Sequence, residues 1–126
     1  CLGLTDEAQP YCVPVSHVLV DGCVYFHSNP RGYKAELLAQ NPRVCLTAVA
    51  DVHAIPMRFT TEYSSAIAFG TARLVHDPAE RRRALSAICE KYAASNPHRE
   101  KCAANAGPET AVYCVEIESI TGKRSE

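Results

Sequence analysis

Two alternating apolar runs meeting at Asp21-Gly22 constrain this chain more than any other feature. Residues 12–20 (CVPVSHVLV) and 23–27 (CVYFH) are rich in β-branched and aromatic side chains. Such residues suit a pleated, half-buried surface. Asp-Gly supplies two residues that tolerate positive φ, which the tightest hairpin turns need to match the twist of their strands. The chain therefore opens with a predicted antiparallel hairpin. Pro14 has no amide hydrogen for a ladder, so its nitrogen side faces a sheet edge, a bulge or a ligand.

Ser28-Asn-Pro-Arg-Gly32 follows as a turn-rich loop and leads into a short predicted helix over residues 33–40, closed by Asn41-Pro42. Residues 43–49 form a third strand, while 51–61 have no clean period and suggest a loop or an irregular strand. A long strand spans 63–75, with Gly70 at a bulge or close approach. Asp77-Pro78 opens a second helix with an N-cap and a proline in its first turn. Within it Leu85, Ile88, Cys89 and Tyr92 fall on one apolar stripe, a core face. Residues 96–108 are polar and turn-rich, and 111–120 form a final strand. Strands joined by hairpins and long returns, with no repeating βαβ unit, point to an antiparallel barrel or sandwich.

The 126 residues suffice for one packed domain, with 47% apolar and 21% charged residues and a formal net charge of -1. That balance argues against nucleic acid as a partner. The clusters Arg81–Arg83 and Arg99–Lys101 suggest solvated helix faces. The seven cysteines include no CxxC and no Cys/His pair at zinc spacing, so no metal site is expected. They are predicted to be buried, reduced thiols, which favours the cytoplasm. No run of about 20 apolar residues suggests a membrane span. Strand-like sequence begins almost at Cys1.

The segment with the clearest chemistry is Tyr25-Phe-His-Ser-Asn-Pro-Arg-Gly-Tyr-Lys34. A helix start presents unpaired amides and the positive end of a dipole, which suits a phosphate. Arg31 and Lys34 add positive charge, Ser28 a hydroxyl, and Gly32 room for close approach. Neither GxGxxG nor GxxxxGK[ST] is present. A plain strand-to-helix connection with two solvated cations is the competing view. His27 is open to two roles, an idle strand-end imidazole or a proton donor beside a reducible group.

These residues carry a resemblance. PYCVPVSHVLVDGCVYFHSNPRGYKAELLAQNPRVC is similar, in the same order, to the PYxxPVxxVxxDGxxYFHSxxxGxKxELLxxNPxVC pattern of the pyridoxamine 5′-phosphate oxidase-like flavin-binding split barrels. The similarity is closest to their nitroimidazole-resistance branch. YSSAIAFGTARLV and ESITGK resemble the family's next long strand and its closing strand.

The resemblance implies a mostly β fold, an antiparallel six-stranded split barrel with one or two short peripheral helices. It also implies a non-covalent flavin mononucleotide (FMN) at the interface of a homodimer. Lys34 would bind the flavin phosphate, with Ser28, Arg31 and Tyr33 in the same segment. The main chain of Val13, Pro14, Val15, Ser16 and His17 would line the isoalloxazine ring. Ser65 matches a position where the oxidase proper uses the longer glutamine to contact the flavin, so Ser64 and Ser65 would be weaker flavin contacts, and His27 would be a pocket histidine. The function implied is a flavin-dependent oxidoreductase that passes electrons from NADH or NADPH to a small organic acceptor. The tail IESITGKRSE lacks the arginine and histidine set with which the oxidase proper holds the vitamin phosphate, so pyridoxamine phosphate oxidation is not expected. The family's helix before the first strand is also missing from this sequence. Lys123 is either an exposed tail residue or a neighbour of the other subunit's flavin. Alternatives on the same barrel are a protein that sequesters flavin or haem, with His17 or His27 as axial ligand, and a deazaflavin-dependent reductase. Tyr11, Tyr25, Phe26 and Phe69 are expected to pack, and Glu116 and Glu118 to face solvent.

Overall fold

The computed structural model describes residues 1–6 and 8–126, with backbone only for Cys102. The strands are β1 (Leu2–Thr5), β2 (Pro10–Val13), β3 (His17–Val20), β4 (Cys23–Ser28), β5 (Arg43–Ile55), β6 (Thr60–Leu74) and β7 (Ala111–Ser125). The helices are α1 (Tyr33–Gln40), α2 (Pro78–Tyr92) and α3 (Arg99–Asn105). All seven strands form one antiparallel sheet in the order β2-β1-β5-β6-β7-β4-β3.

The predicted hairpin is present. Val20 pairs with Cys23, and Asp21 and Gly22 have φ of 50° and 80°. The run over 12–20 is nevertheless two strands rather than one. β2 leaves its ladder after the Leu2–Val13 pair, and β3 enters at the His17–Phe26 pair. The link Pro14–Ser16 lies between them, because a proline cannot donate to a ladder. Seven strands therefore replace the expected six. β1, with only LGLT, is too short to show a period.

β2 and β3 lie at opposite edges of the sheet, yet only three residues join them. At about 3.5 Å per residue those edges stand no more than about 14 Å apart. The sheet must therefore roll, with its split between β2 and β3. Inside the roll, Val24 and Phe26 pack with Leu2, Leu46, Tyr113 and Val115, and Leu37 and Leu38 of α1 cover the core. Alternate residues Tyr25, Val112 and Cys114 face outward against Ala84 and Leu85 of α2 and Ala103 of α3. Two-sided burial explains the continuous apolar stretch at 111–115.

α2 begins as predicted, with Asp77 Oδ2 accepting from the Glu80 amide at 3.2 Å. Three α-helices stand where one or two were expected. α3 lies inside the turn-rich segment and anchors chiefly through Ala103, too little for a legible stripe. Arg81 is no solvated cation, since its guanidinium donates to the carbonyls of Thr110, Ala106 and Gly107 at 2.7, 3.1 and 2.8 Å. Tyr92 leaves the expected core stripe and is half exposed.

β5, β6 and β7 all outrun the barrel. β5 continues to Ile55 through an irregularity where Asp51 takes φ 53° and the register shifts between Ala50 and His53. That bulge erased the period over 51–61. β7 runs past residue 120, so Thr121-Gly-Lys123 is strand rather than tail. The result is a three-stranded arm that carries Val49, Val52, Met57, Phe59, Ile67 and Ile120 exposed. Gly70 meets both expectations for it. The register skips Glu118 beside it, and a Cβ there would collide with the Glu116 carbonyl.

Phe26 is fully buried and Tyr25 nearly so, Tyr11 is partly buried, and Phe69 is half exposed. The thiols are not uniformly buried. Cys114 is, Cys23, Cys45 and Cys89 are intermediate, and Cys1 and Cys12 are exposed. The side chain of Cys102 lies outside the described residues. Glu116 and Glu118 do face solvent, but as partners of Arg73 and Arg43. Among the described residues no helix is long and apolar enough to cross a membrane.

Candidate functional site

Strand β4 delivers the chain to the start of α1 through a tight local turn. Asn29 Oδ1 accepts from the Arg31 amide at 2.9 Å, and Gly32, at φ 114°, redirects the backbone into the helix. That φ lies where a side chain is strained. The first intrahelical bond is from the Glu36 amide to the Gly32 carbonyl, 3.1 Å. No side chain caps this end, which leaves the amides of Tyr33, Lys34 and Ala35 at the positive end of the helix dipole.

Two cations stand at this end. Lys34 is half-buried, and burial pushes its ammonium pKa down. Among the described residues, neither its ammonium nor the Arg31 guanidinium has a carboxylate partner. A partly desolvated cation without a counter-charge is costly, and an anion relieves that cost. Glu36, exposed in the first turn, is the opposing charge. Ser28 Oγ donates to the Asn29 carbonyl at 3.0 Å and so would have to turn to meet a ligand.

The split lies against this helix start. Tyr11 of β2 meets the Tyr33 ring edge-on, with centroids 4.9 Å apart. Beyond Val13, the link Pro14–Ser16 crosses to β3. Among the described residues nothing accepts from the amides of Val15 and Ser16. His17, at the far end of the link, is held differently. Its amide donates to Tyr92 Oη at 3.1 Å, and its carbonyl accepts from Tyr92 Oη and Lys91 Nζ, both at 2.8 Å. Burial, then the Lys91 charge, lowers the pKa of its ring, which disfavours the charged imidazolium. Sequence reasoning missed Lys91 and Tyr92, because no local pattern links residues 74 and 75 positions apart.

His27 and Ser28 part company. Alternation along β4 sends Ser28 to the face of Phe26, and exposed His27 to the face of Tyr25, on the α2 side. Ser64 and Ser65 lie on the arm, opposite Arg124 and Lys123. β1 and β5 run between Val13 and Ser65. Lys123 Nζ stands 5.7 Å over the Tyr63 ring. The chain thus gathers Val13–His17, Ser28, Arg31, Tyr33 and Lys34 around the split. It keeps Ser64 and Ser65 apart from them.

A family model described as pyridoxamine 5′-phosphate oxidase matches residues 1–124. The chain belongs to that family. No curated protein matches it closely enough to count as a relative. Among solved structures it is similar to a protein from Bacteroides thetaiotaomicron VPI-5482 provisionally assigned to 5-nitroimidazole antibiotic resistance. The two are 27% identical with a TM-score of 0.76, over 96% of this chain and 73% of that one. It is also similar to a FAD-binding protein from Mesorhizobium loti, at 22% identity, TM-score 0.73, and 99% and 84% coverage. A flavocytochrome from Azotobacter vinelandii shares 21% identity at TM-score 0.70, over 99% of this chain and 60% of that one. At those last two identities the likeness is one of fold alone.

Proposed function

We infer that the chain is a flavoprotein that binds FMN without a covalent link, its phosphate at the start of α1 and its ring along the Pro14–Ser16 link. The observation that carries this reading is Lys34, a half-buried cation without a carboxylate partner among the described residues, beside an uncapped helix start and Arg31. A phosphate dianion answers all three features at once. Membership of the pyridoxamine 5′-phosphate oxidase family and the flavin-binding names of two similar structures support it.

A bound flavin supplies the redox chemistry, and the chain binds and orients it. The activity we infer is electron transfer from NADH or NADPH to a small organic acceptor, a nitroimidazole-like compound being the class that the Bacteroides relative suggests. In that reading a proton-donor role for His27 requires the ring to reach the outer face of β4, where the alternation of the strand puts this side chain. The pocket is completed in a homodimer, with the arms of two copies in contact. Exposed Val49 and Ile67 on one face of the arm, with Phe69 continuing that face beyond it, support that contact, as does the separation of Ser64 and Ser65 from the split by β1 and β5.

The purified protein should show twin flavin bands, or acquire them on addition of FMN. FMN, FAD and riboflavin titrated in parallel separate the cofactors, and bleaching by NADH or NADPH separates an enzyme from a flavin store. A Soret band would favour haem. A protein that remains colourless with all three flavins would overturn the reading.

A further inference from the structure

β3 ends the sheet, and an edge residue ordinarily leaves its outward amide and carbonyl to water. At His17 both groups are taken. Tyr92 Oη accepts from the amide at 3.1 Å and donates to the carbonyl at 2.8 Å, while Lys91 Nζ donates to the same carbonyl at 2.8 Å. One hydroxyl can do both, having one hydrogen and two lone pairs. The pair of bonds reproduces what a neighbouring strand would offer a single residue, but it comes from the last turn of α2. Lys91 also lies 5.0 Å over the Tyr92 ring, which braces the two side chains against each other.

The clamp marks one end of the link across the split. At the other end, Val13 is fixed in the β2 ladder opposite Leu2. Between these two fixed points Pro14 has no amide, and the amides of Val15 and Ser16 meet no acceptor among the described residues. His17 has no main-chain donor left for a ligand. Within the link, the main-chain donors left to a ligand among the described residues are therefore those of Val15 and Ser16.

We propose that Tyr92 and Lys91 are positioning residues for the flavin ring, holding the Val15 and Ser16 amides in place for its polar edge by fixing the main chain of His17. This rests on the flavin reading above, and it adds residues from α2 that touch no part of the cofactor. It also narrows the role of Val13–His17 to two amides.

The test compares the full-length wild type with Tyr92→Phe, which removes only the hydroxyl, and Lys91→Met, which keeps the stem. FMN and riboflavin are titrated against each, and the midpoint potential and visible spectrum of the bound flavin are recorded. Tyr92→Phe should weaken both flavins by roughly five- to tenfold, the scale of one lost hydrogen bond. It should also shift the potential and the band structure, and speed amide exchange at residues 15–17 in the flavin-free protein. Lys91→Met should move each readout less, in the same direction. A Tyr92→Phe protein with the affinity, potential and spectrum of the wild type would overturn the assignment and leave the flavin reading intact. A wild type that takes up neither flavin would overturn both.

Discussion

The Tyr25 hydroxyl donates to Glu80 across 2.7 Å, and the same carboxylate receives both arms of the Arg73 guanidinium at 2.9 and 2.6 Å. One acidic side chain on α2 thus ties β4 to β6 through the outer layer. Arg73 chiefly, and Tyr25 after it, hold the Glu80 carboxyl down at about 2, against an ordinary value of 4.5. A carboxyl lowered on folding binds fewer protons in the folded state. Its stabilisation is complete above about pH 4.5 and is lost as the pH falls toward 2. Arg73 is partly open to water, which trims the gain. Urea melts between pH 6 and 2.5 should show the wild type losing about 1–2 kcal/mol more than Glu80→Gln over that window.

Gly70 has no room for a methyl group, because the Glu116 carbonyl lies where its Cβ would stand. Backbone cannot rotate away as a side chain can. Gly70→Ala should cost about 1–3 kcal/mol, the range for overpacking, and lower the Tm. A Gly22→Ala control meets no neighbour but keeps a φ of 80°, and it should cost about 1 kcal/mol through backbone strain alone.

Removing Lys34 tests the phosphate grip separately from the ring. Lys34→Ala should weaken FMN binding by about tenfold or more, equivalent to about 1.4 kcal/mol, and leave riboflavin affinity unchanged. Equal losses for both flavins would place Lys34 elsewhere than on the phosphate.

The arm offers a test of assembly. Ile67→Asp sets a carboxylate between exposed Val49 and Phe69. It should convert a dimer to a monomer in sedimentation and lower FMN uptake with it, because a buried unpaired charge is costly at an interface. A variant that stays dimeric would move the contact to another face.

Thiol reactivity should split by environment. Burial first, and its hydrogen bond with Cys23, push the Cys114 thiol up to about 12. Thiolate is the reactive form, so Cys114 should resist iodoacetamide at pH 8 in the folded protein while exposed Cys12 is alkylated.

Local chemistry was legible in the sequence. The Asp21-Gly22 turn, the Asp77-Pro78 helix start, the short helix after Gly32 and the crowding at Gly70 each depend on a few adjacent residues, and each is where it was expected. What escaped depends on distant partners. Pro14 marked a sheet edge, a bulge or a ligand, but not that the apolar run divides there between opposite edges of one sheet. Tyr92 shares the period of Leu85 and Ile88, yet its hydroxyl draws it out of the core to His17. Arg81 looked like one of three solvated cations until the segment after α3 placed the carbonyls of Ala106, Gly107 and Thr110 around it. In the candidate site, the helix start with Arg31 and Lys34 is local and readable. The clamp on His17 and the remoteness of Ser64 and Ser65 follow from topology alone.

The three-residue crossing at Pro14–Ser16 also orders events in time. Because it bridges the first and last strands of the sheet, the roll around the split is complete only when the pairings between those strands have formed. Long-range pairings such as β1 with β5 and β4 with β7 must close first, and such pairings form slowly. A ligand bound at the crossing therefore adds its free energy only to the finished fold. The appearance of its colour during refolding would then serve as a clock for the last step of assembly.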